Sequence, residues 1–113
     1  MDCIFCKIVD GEIPSNILYQ DERVIAFPDI NPLAPTHLLI IPRKHISSLD
    51  KLSEEDSFLV GEMTKVANKL AKSENISESG YRVVINCGKE GGQGVDHIHM
   101  HLLGGRQLSN ELG

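Results

Sequence analysis

No stretch of this sequence approaches the roughly 18 to 20 consecutive apolar residues that a membrane span requires. Runs such as Leu38-Leu39-Ile40-Ile41 end after four residues. The start, Met1-Asp2-Cys3, has no basic region ahead of an apolar one, so a secretory leader is not expected either. Positive charge is also in deficit. Eleven Lys and Arg stand against sixteen Asp and Glu, a formal charge of -5, which excludes non-specific attraction to nucleic acid or anionic lipid. There is no internal repeat, low-complexity tract or linker-like boundary, and 41% hydrophobic with 24% charged residues excludes a disordered or fibrous chain. These absences predict a cytoplasmic protein with neither nucleic acid nor membrane as partner. A single domain is expected over 1–113, with a loose tail after about Arg106. Cysteine is scarce and odd in number: Cys3, Cys6 and Cys87. In a reducing compartment Cys3-x-x-Cys6 points to a metal or redox pair before a structural disulfide.

The hydrophobic periodicity gives an outline. Ile4 to Val9 reads as a short helix ended by Asp10-Gly11. Ile17 to Tyr19 and Arg23 to Phe27 read as a hairpin, followed by an extended connection imposed by Pro28, Pro32 and Pro35. His37 to Ile41 is a buried strand. Ser53, with Glu54, Glu55 and Asp56 behind it, is placed to cap a long helix. Its apolar face is Leu59, Met63, Val66, Ala67 and Leu70, continuing to Lys72–Asn75. Tyr81 to Asn86 is a strand, Gly88 to Gly94 a loop, and Asp96 to Leu103 a last strand. Strands, a long helix, then strands again predict an α+β domain with a mainly antiparallel sheet.

The chemistry concentrates in the last strand. Alternation places His97, His99 and His101 on one face and Ile98, Met100 and Leu102 on the other, the apolar side inward. Neutral imidazoles in such a row can hold zinc that activates water. Alternatively, one imidazole attacks phosphorus or an acyl carbon while its neighbours move protons. Gly91-Gly92-Gln93-Gly94 can present backbone N–H groups to a phosphate, although hairpin turns use the same residues.

These residues resemble a known family. His97-Ile98-His99-Met100-His101-Leu102-Leu103 is similar to the His-φ-His-φ-His-φ-φ signature of the histidine triad proteins, φ being apolar, and Gly104-Gly105-Arg106 resembles their nucleoside phosphoramidase branch. Ile4-Phe5, Ala26-Phe27-Pro28-Asp29-Ile30, Ala34-Pro35-Thr36-His37, Ile41-Pro42-Arg43-Lys44-His45 and Gly91-Gly92-Gln93 fit the family's order and spacing up to about Arg106. The resemblance implies a homodimer of α+β subunits that cleaves purine nucleoside 5′-phosphoramidates into nucleotide and amine. It implies His99 as nucleophile, His101 as phosphate ligand and acid, and His37 and His97 as orienting or relaying groups. Asn86 and Gln93, with the nearby backbone of Gly94 and Val95, would hold the phosphate. Asp29 would accept ribose hydroxyls, although its place before Asn31-Pro32 also suits an Asx turn. Phe5, Ile8, Phe27, Ile30 and Leu39 would form the base pocket, with ordinary core as the other reading of Ile8 and Leu39.

Bacterial members carry a similar Cys-x-x-Cys pair, which implies a structural zinc on Cys3, Cys6, His45 and His97. No organic cofactor is expected, and the imidazole route itself requires no metal. The chain departs from the pattern at Gly94, where related phosphoramidases often carry serine, and at Asp96, where an aromatic residue is common. A dinucleoside polyphosphate hydrolase of the same family and a nucleotide-binding module without turnover are the alternatives.

Overall fold

The computed structural model describes residues 3–111. In chain order the elements are α1 (Ile4–Val9), β1 (Tyr19–Gln20), β2 (Val24–Pro28), β3 (Thr36–Pro42), a 3-10 turn at Leu49–Lys51, α2 (Phe58–Ser73), β4 (Tyr81–Val84) and β5 (Met100–Gly104). The strands form one antiparallel sheet in the order β1-β2-β3-β5-β4.

Every residue of the central strand β3 is buried, because both faces of the sheet are covered. Side chains alternate across a strand, so Leu38 and Ile40 join Val24, Ala26, Met100 and Leu102 on one face. There they meet Met63, Val66, Ala67, Leu70 and Ala71 of α2. Leu39 and Ile41 join Ile25 and Phe27 on the opposite face, under Cys3 and Phe5. The cover on this second face comes from α1, a helix of six residues, and its N-cap. The entry to α1 is fixed by Cys3, whose sulfur accepts the Cys6 N–H at 3.3 Å.

Several boundaries differ from the sequence expectation. Helix α2 begins at Phe58 instead of Ser53. Ser53 does accept the Asp56 N–H, at 3.1 Å, but the chain from there to Val60 winds in tight i to i+3 turns. Lys44 draws the Asp56 carboxylate away at 2.6 Å. The first hairpin strand is shorter and both are shifted toward the C-terminus, and β4 stops at Val84. β5 starts at Met100, so His97, Ile98 and His99 precede the strand. The segregation of faces nevertheless holds. Ile98 packs with Ile46 and Leu59, Met100 and Leu102 lie under α2, and the rings of His97 and His99 meet Phe5 of α1. That side is buried as well: His97 is 0% and His99 5% exposed.

Among the described residues beyond Gly104 there is no regular structure, and the Arg82 guanidinium of β4 donates to the Ser109 carbonyl. No helix among the described residues is long and apolar enough to cross a membrane.

Candidate active site and metal centre

All five histidines of the chain fall into two adjoining clusters, and the backbone decides what each ring can do. His97 lies beside α1 and the loop after β3. Its Nε2 is 2.8 Å from the Pro42 carbonyl. A carbonyl only accepts, so Nε2 carries the proton and the Nδ1 lone pair faces the other way. It faces Cys3 Sγ at 3.4 Å, Cys6 Sγ at 3.6 Å and His45 Nδ1 at 3.3 Å, while Cys6 Sγ to His45 Nδ1 is 3.3 Å.

All four donor atoms lie within 4.8 Å of one another. A tetrahedral ion with bonds of about 2.0 to 2.3 Å has ligand–ligand edges of about 3.4 to 3.6 Å for N–N and S–N pairs. The observed separations match those edges. Desolvation and then the neighbouring Cys3 push the Cys6 thiol up to about 11, and a bound cation would favour its thiolate. Cys3, Cys6, His45 and His97 are thus positioned to hold a metal, compatible with a closed structural zinc site.

The main chain of the same residue serves the second cluster. The His97 carbonyl is 2.7 Å from His99 Nδ1. Nδ1 must therefore donate, which leaves the lone pair of His99 on Nε2. Phe5 presses edge-on against this ring at 5.2 Å between centroids, and the His101 ring lies 5.0 Å away. The Leu33 N–H donates to His37 Nδ1 at 3.0 Å. In neutral His37 the proton is then on Nε2, which lies 2.9 Å from His101 Nδ1. Accepting there, His101 carries its own proton on Nε2. Burial first, then His99 and His37 nearby, lower the His101 pKa to about 4, with Asp29 acting in the opposite sense. Burial lowers His37 as well. Both rings are neutral at neutral pH, with His101 presenting an N–H beside the lone pair of His99.

The remaining expected residues divide. Asp29 does close the Asx turn, Oδ1 accepting from Asn31 N at 2.8 Å, while Oδ2 stands 3.4 Å from His37 Nε2. Asn86 donates to the Gly91 carbonyl at 2.8 Å. Gln93, expected to donate to a phosphate, turns its amide N–H groups to Ser47 O at 2.7 Å and Val95 O at 2.9 Å, and its oxygen accepts from Gly88 N. It braces the loop that carries Gly94 and Val95. A Cβ on Gly94 would meet open space. Phe5, Phe27 and Leu39, with Ile8 against them, are packed in one apolar cluster. Ile30 stands apart from it, 90% exposed. Sequence reasoning missed the Pro42 carbonyl, the Leu33 N–H and the His97 carbonyl, since a main-chain group leaves no mark in the residue type.

Comparison with known proteins agrees with this geometry. A family model described as "Scavenger mRNA decapping enzyme C-term binding" matches residues 2–112. A protein of Escherichia coli (strain K12) named purine nucleoside phosphoramidase is 53% identical over 107 residues, covering 95% of this chain and 90% of its own. The structure of a HIT family hydrolase from Legionella pneumophila Philadelphia 1 superposes with a TM-score of 0.96 at 51% identity, over 99% of this chain and 100% of that one. A histidine triad protein from Clostridium difficile gives 0.96 at 48%, over 99% and 97%. With the histidine signature, the sheet and near full-length relatives in agreement, this chain belongs to the histidine triad (HIT) family.

Proposed function

We propose that this protein hydrolyses purine nucleoside 5′-phosphoramidates through a nucleotidyl-histidine intermediate. His99 Nε2 attacks phosphorus, the P–N bond breaks, and the departing amine takes the His101 Nε2 proton. Water then attacks the nucleotidyl-His99 phosphorus, returning the lone pair to Nε2 and releasing nucleoside monophosphate, and one of its protons restores His101. The observation that carries this reading is the 2.7 Å contact between the His97 carbonyl and His99 Nδ1, which leaves the nucleophilic lone pair on the opposite nitrogen. The name of the Escherichia coli relative supports the substrate class. His101 is suited to its part because its Nε2 N–H faces away from His37 and can reach the departing nitrogen, and the anionic phosphate beside the ring favours the imidazolium form that releases the proton.

The phosphate would rest on the N–H groups of Gly94 and Val95, steadied by Gln93 and Asn86. Asp29 would accept ribose hydroxyls. The base would lie against Phe5, Ile8, Phe27 and Leu39, with Ile30 closing over it. His97 orients His99 through its carbonyl while its ring serves the metal. The metal would be zinc on Cys3, Cys6, His45 and His97, supplying a cross-link between the N-terminal segment and the core. The working form would be a cytoplasmic homodimer. β4 supports it, being an edge strand paired only with β5 among the described residues, with Val83 43% exposed. Sedimentation at micromolar concentration tests the dimer. The activity is tested by incubating wild type and His99→Ala with a labelled adenosine phosphoramidate. Wild type should release amine and trap label on an alkaline denaturing quench, and the variant should do neither.

A further inference from the structure

Gly104-Gly105-Arg106 has no part in the chemistry above, yet the structure gives each residue a physical task. A Cβ on Gly104 would sit 2.7 Å from Ile76 Cδ1, and one on Gly105, which has φ +94°, would sit 2.9 Å from Pro35 Cβ. Both distances are below contact; Ile76 Cδ1 is the end of a side chain that can give way, but the Pro35 ring and the positive φ leave only glycine unstrained at position 105. The passage delivers Arg106 to the loop between β2 and β3, where Nη2 donates to the Leu33 carbonyl at 3.0 Å. Leu33 is also the residue whose N–H caps His37 Nδ1. Its side chain is exposed and belongs to no core cluster, so main-chain bonds have to hold it.

We infer that Arg106 is a positioning residue for the acid half of the reaction: by holding the Leu33 carbonyl it keeps the Leu33 N–H on His37, and so keeps His37 donating to His101. The inference rests on the phosphoramidase reading above. Without Arg106 the Leu33–Ala34 carbonyl is released, residue 33 can turn about its backbone dihedrals, and the N–H of the adjoining Pro32–Leu33 peptide can swing off His37 Nδ1. That nitrogen can then take the ring proton, leaving a lone pair on Nε2 against the lone pair on His101 Nδ1. His101 must then flip or change tautomer, and the N–H aimed at the leaving nitrogen is lost.

The test compares wild type, Arg106→Ala, Arg106→Met and Arg106→Lys in single turnovers on two substrates. One is an adenosine 5′-phosphoramidate of an alkylamine, whose leaving nitrogen needs a proton. The other is adenosine 5′-phosphorofluoridate, whose fluoride needs far less help. Arg106→Ala and Arg106→Met should slow the alkylamide about tenfold and the fluoridate less than about twofold, a difference set by general-acid catalysis. AMP affinity should stay unchanged, and Arg106→Lys should recover part of the loss. Two-dimensional NMR of the ¹⁵N-labelled rings should show His37 as the Nε2–H tautomer in wild type and a mixture in Arg106→Met. Arg82→Ala, which releases the same C-terminal segment from Ser109, should match wild type in every readout. Equal losses on both substrates, or an unchanged His37 tautomer, would overturn the inference. If wild type turned over neither substrate, the proposed activity would fall, and the tautomer measurement would still decide the role of Arg106.

Discussion

His97 and His101 are the same residue type, close together in sequence and aimed at the same side of the sheet, and the structure gives their rings opposite hydrogen-bond settings. Each has one ring nitrogen fixed by a neighbour. For His97 that neighbour is a carbonyl, which holds a proton on Nε2 and sends the Nδ1 lone pair into a nest of sulfur and nitrogen. For His101 it is another histidine, itself set by a backbone N–H, which sends the proton outward. One end of the triad is therefore positioned to hold a cation, and in the proposed function the other delivers a proton. His99 between them takes its orientation from the main chain of the first and its ring neighbour from the last. A histidine's role is thus assigned by whatever holds its other nitrogen.

The largest effect that would break this division is at the centre. His99→Ala should lower turnover of an adenosine phosphoramidate by at least about 10⁴-fold, as loss of a nucleophile does, with AMP affinity by calorimetry retained. A rate within about tenfold of wild type would move the chemistry elsewhere. At the proton-delivering end, His101→Asn should cost about 10²- to 10³-fold in kcat, the contribution of a positioned acid. Its zinc content should not change.

At the cation-binding end the pattern should invert. Cys6→Ser should lose the metal and lower Tm by on the order of 10 °C, as expected when a tightly bound ligand is removed from a small domain. Elemental analysis should find one zinc per chain in wild type purified without chelator, and a ratio near zero would remove the site. A subtler difference is expected with pH. The folded His101 pKa, about 4, lies below the ordinary 6.5, so between those values the unfolded chain binds a proton that the folded one does not. Stability from this group is full above about pH 6.5 and is lost as pH falls toward 4. Urea midpoints of wild type and His101→Asn should therefore converge on acidification. The smallest effect concerns Gly94. Its open surroundings accept a side chain, and Gly94→Ser should raise kcat/KM a few-fold for at least one amine, by adding a hydroxyl donor near the phosphate. Unchanged values across a panel would dismiss the idea.

Much of this was legible in the chain, and the exceptions have one origin. The apolar stripe of α2 and the short helix α1 are local periodic signals, and they appear where periodicity puts them. The start of α2 departs from expectation because Ser53 has the chemistry of a cap without the position of one: its hydroxyl closes a preliminary turn. The last strand begins later than its alternating pattern implies. Alternation alone cannot distinguish an extended segment from a paired one, and pairing with β3 begins only at Met100. An expected reach of Gln93 to a phosphate leaves out the Ser47 carbonyl, which lies far away in sequence and occupies an N–H of its amide.

What the sequence determined unaided was which side chains gather: spacing of two along an extended segment and of three along a first helical turn places histidines and thiols on common sides, because backbone geometry fixes those repeats. What only the tertiary structure decided was the direction in which each ring offers its lone pair. That depends on the carbonyls of Pro42 and His97 and the N–H of Leu33, backbone groups whose kind nearly every residue carries and only folding can aim.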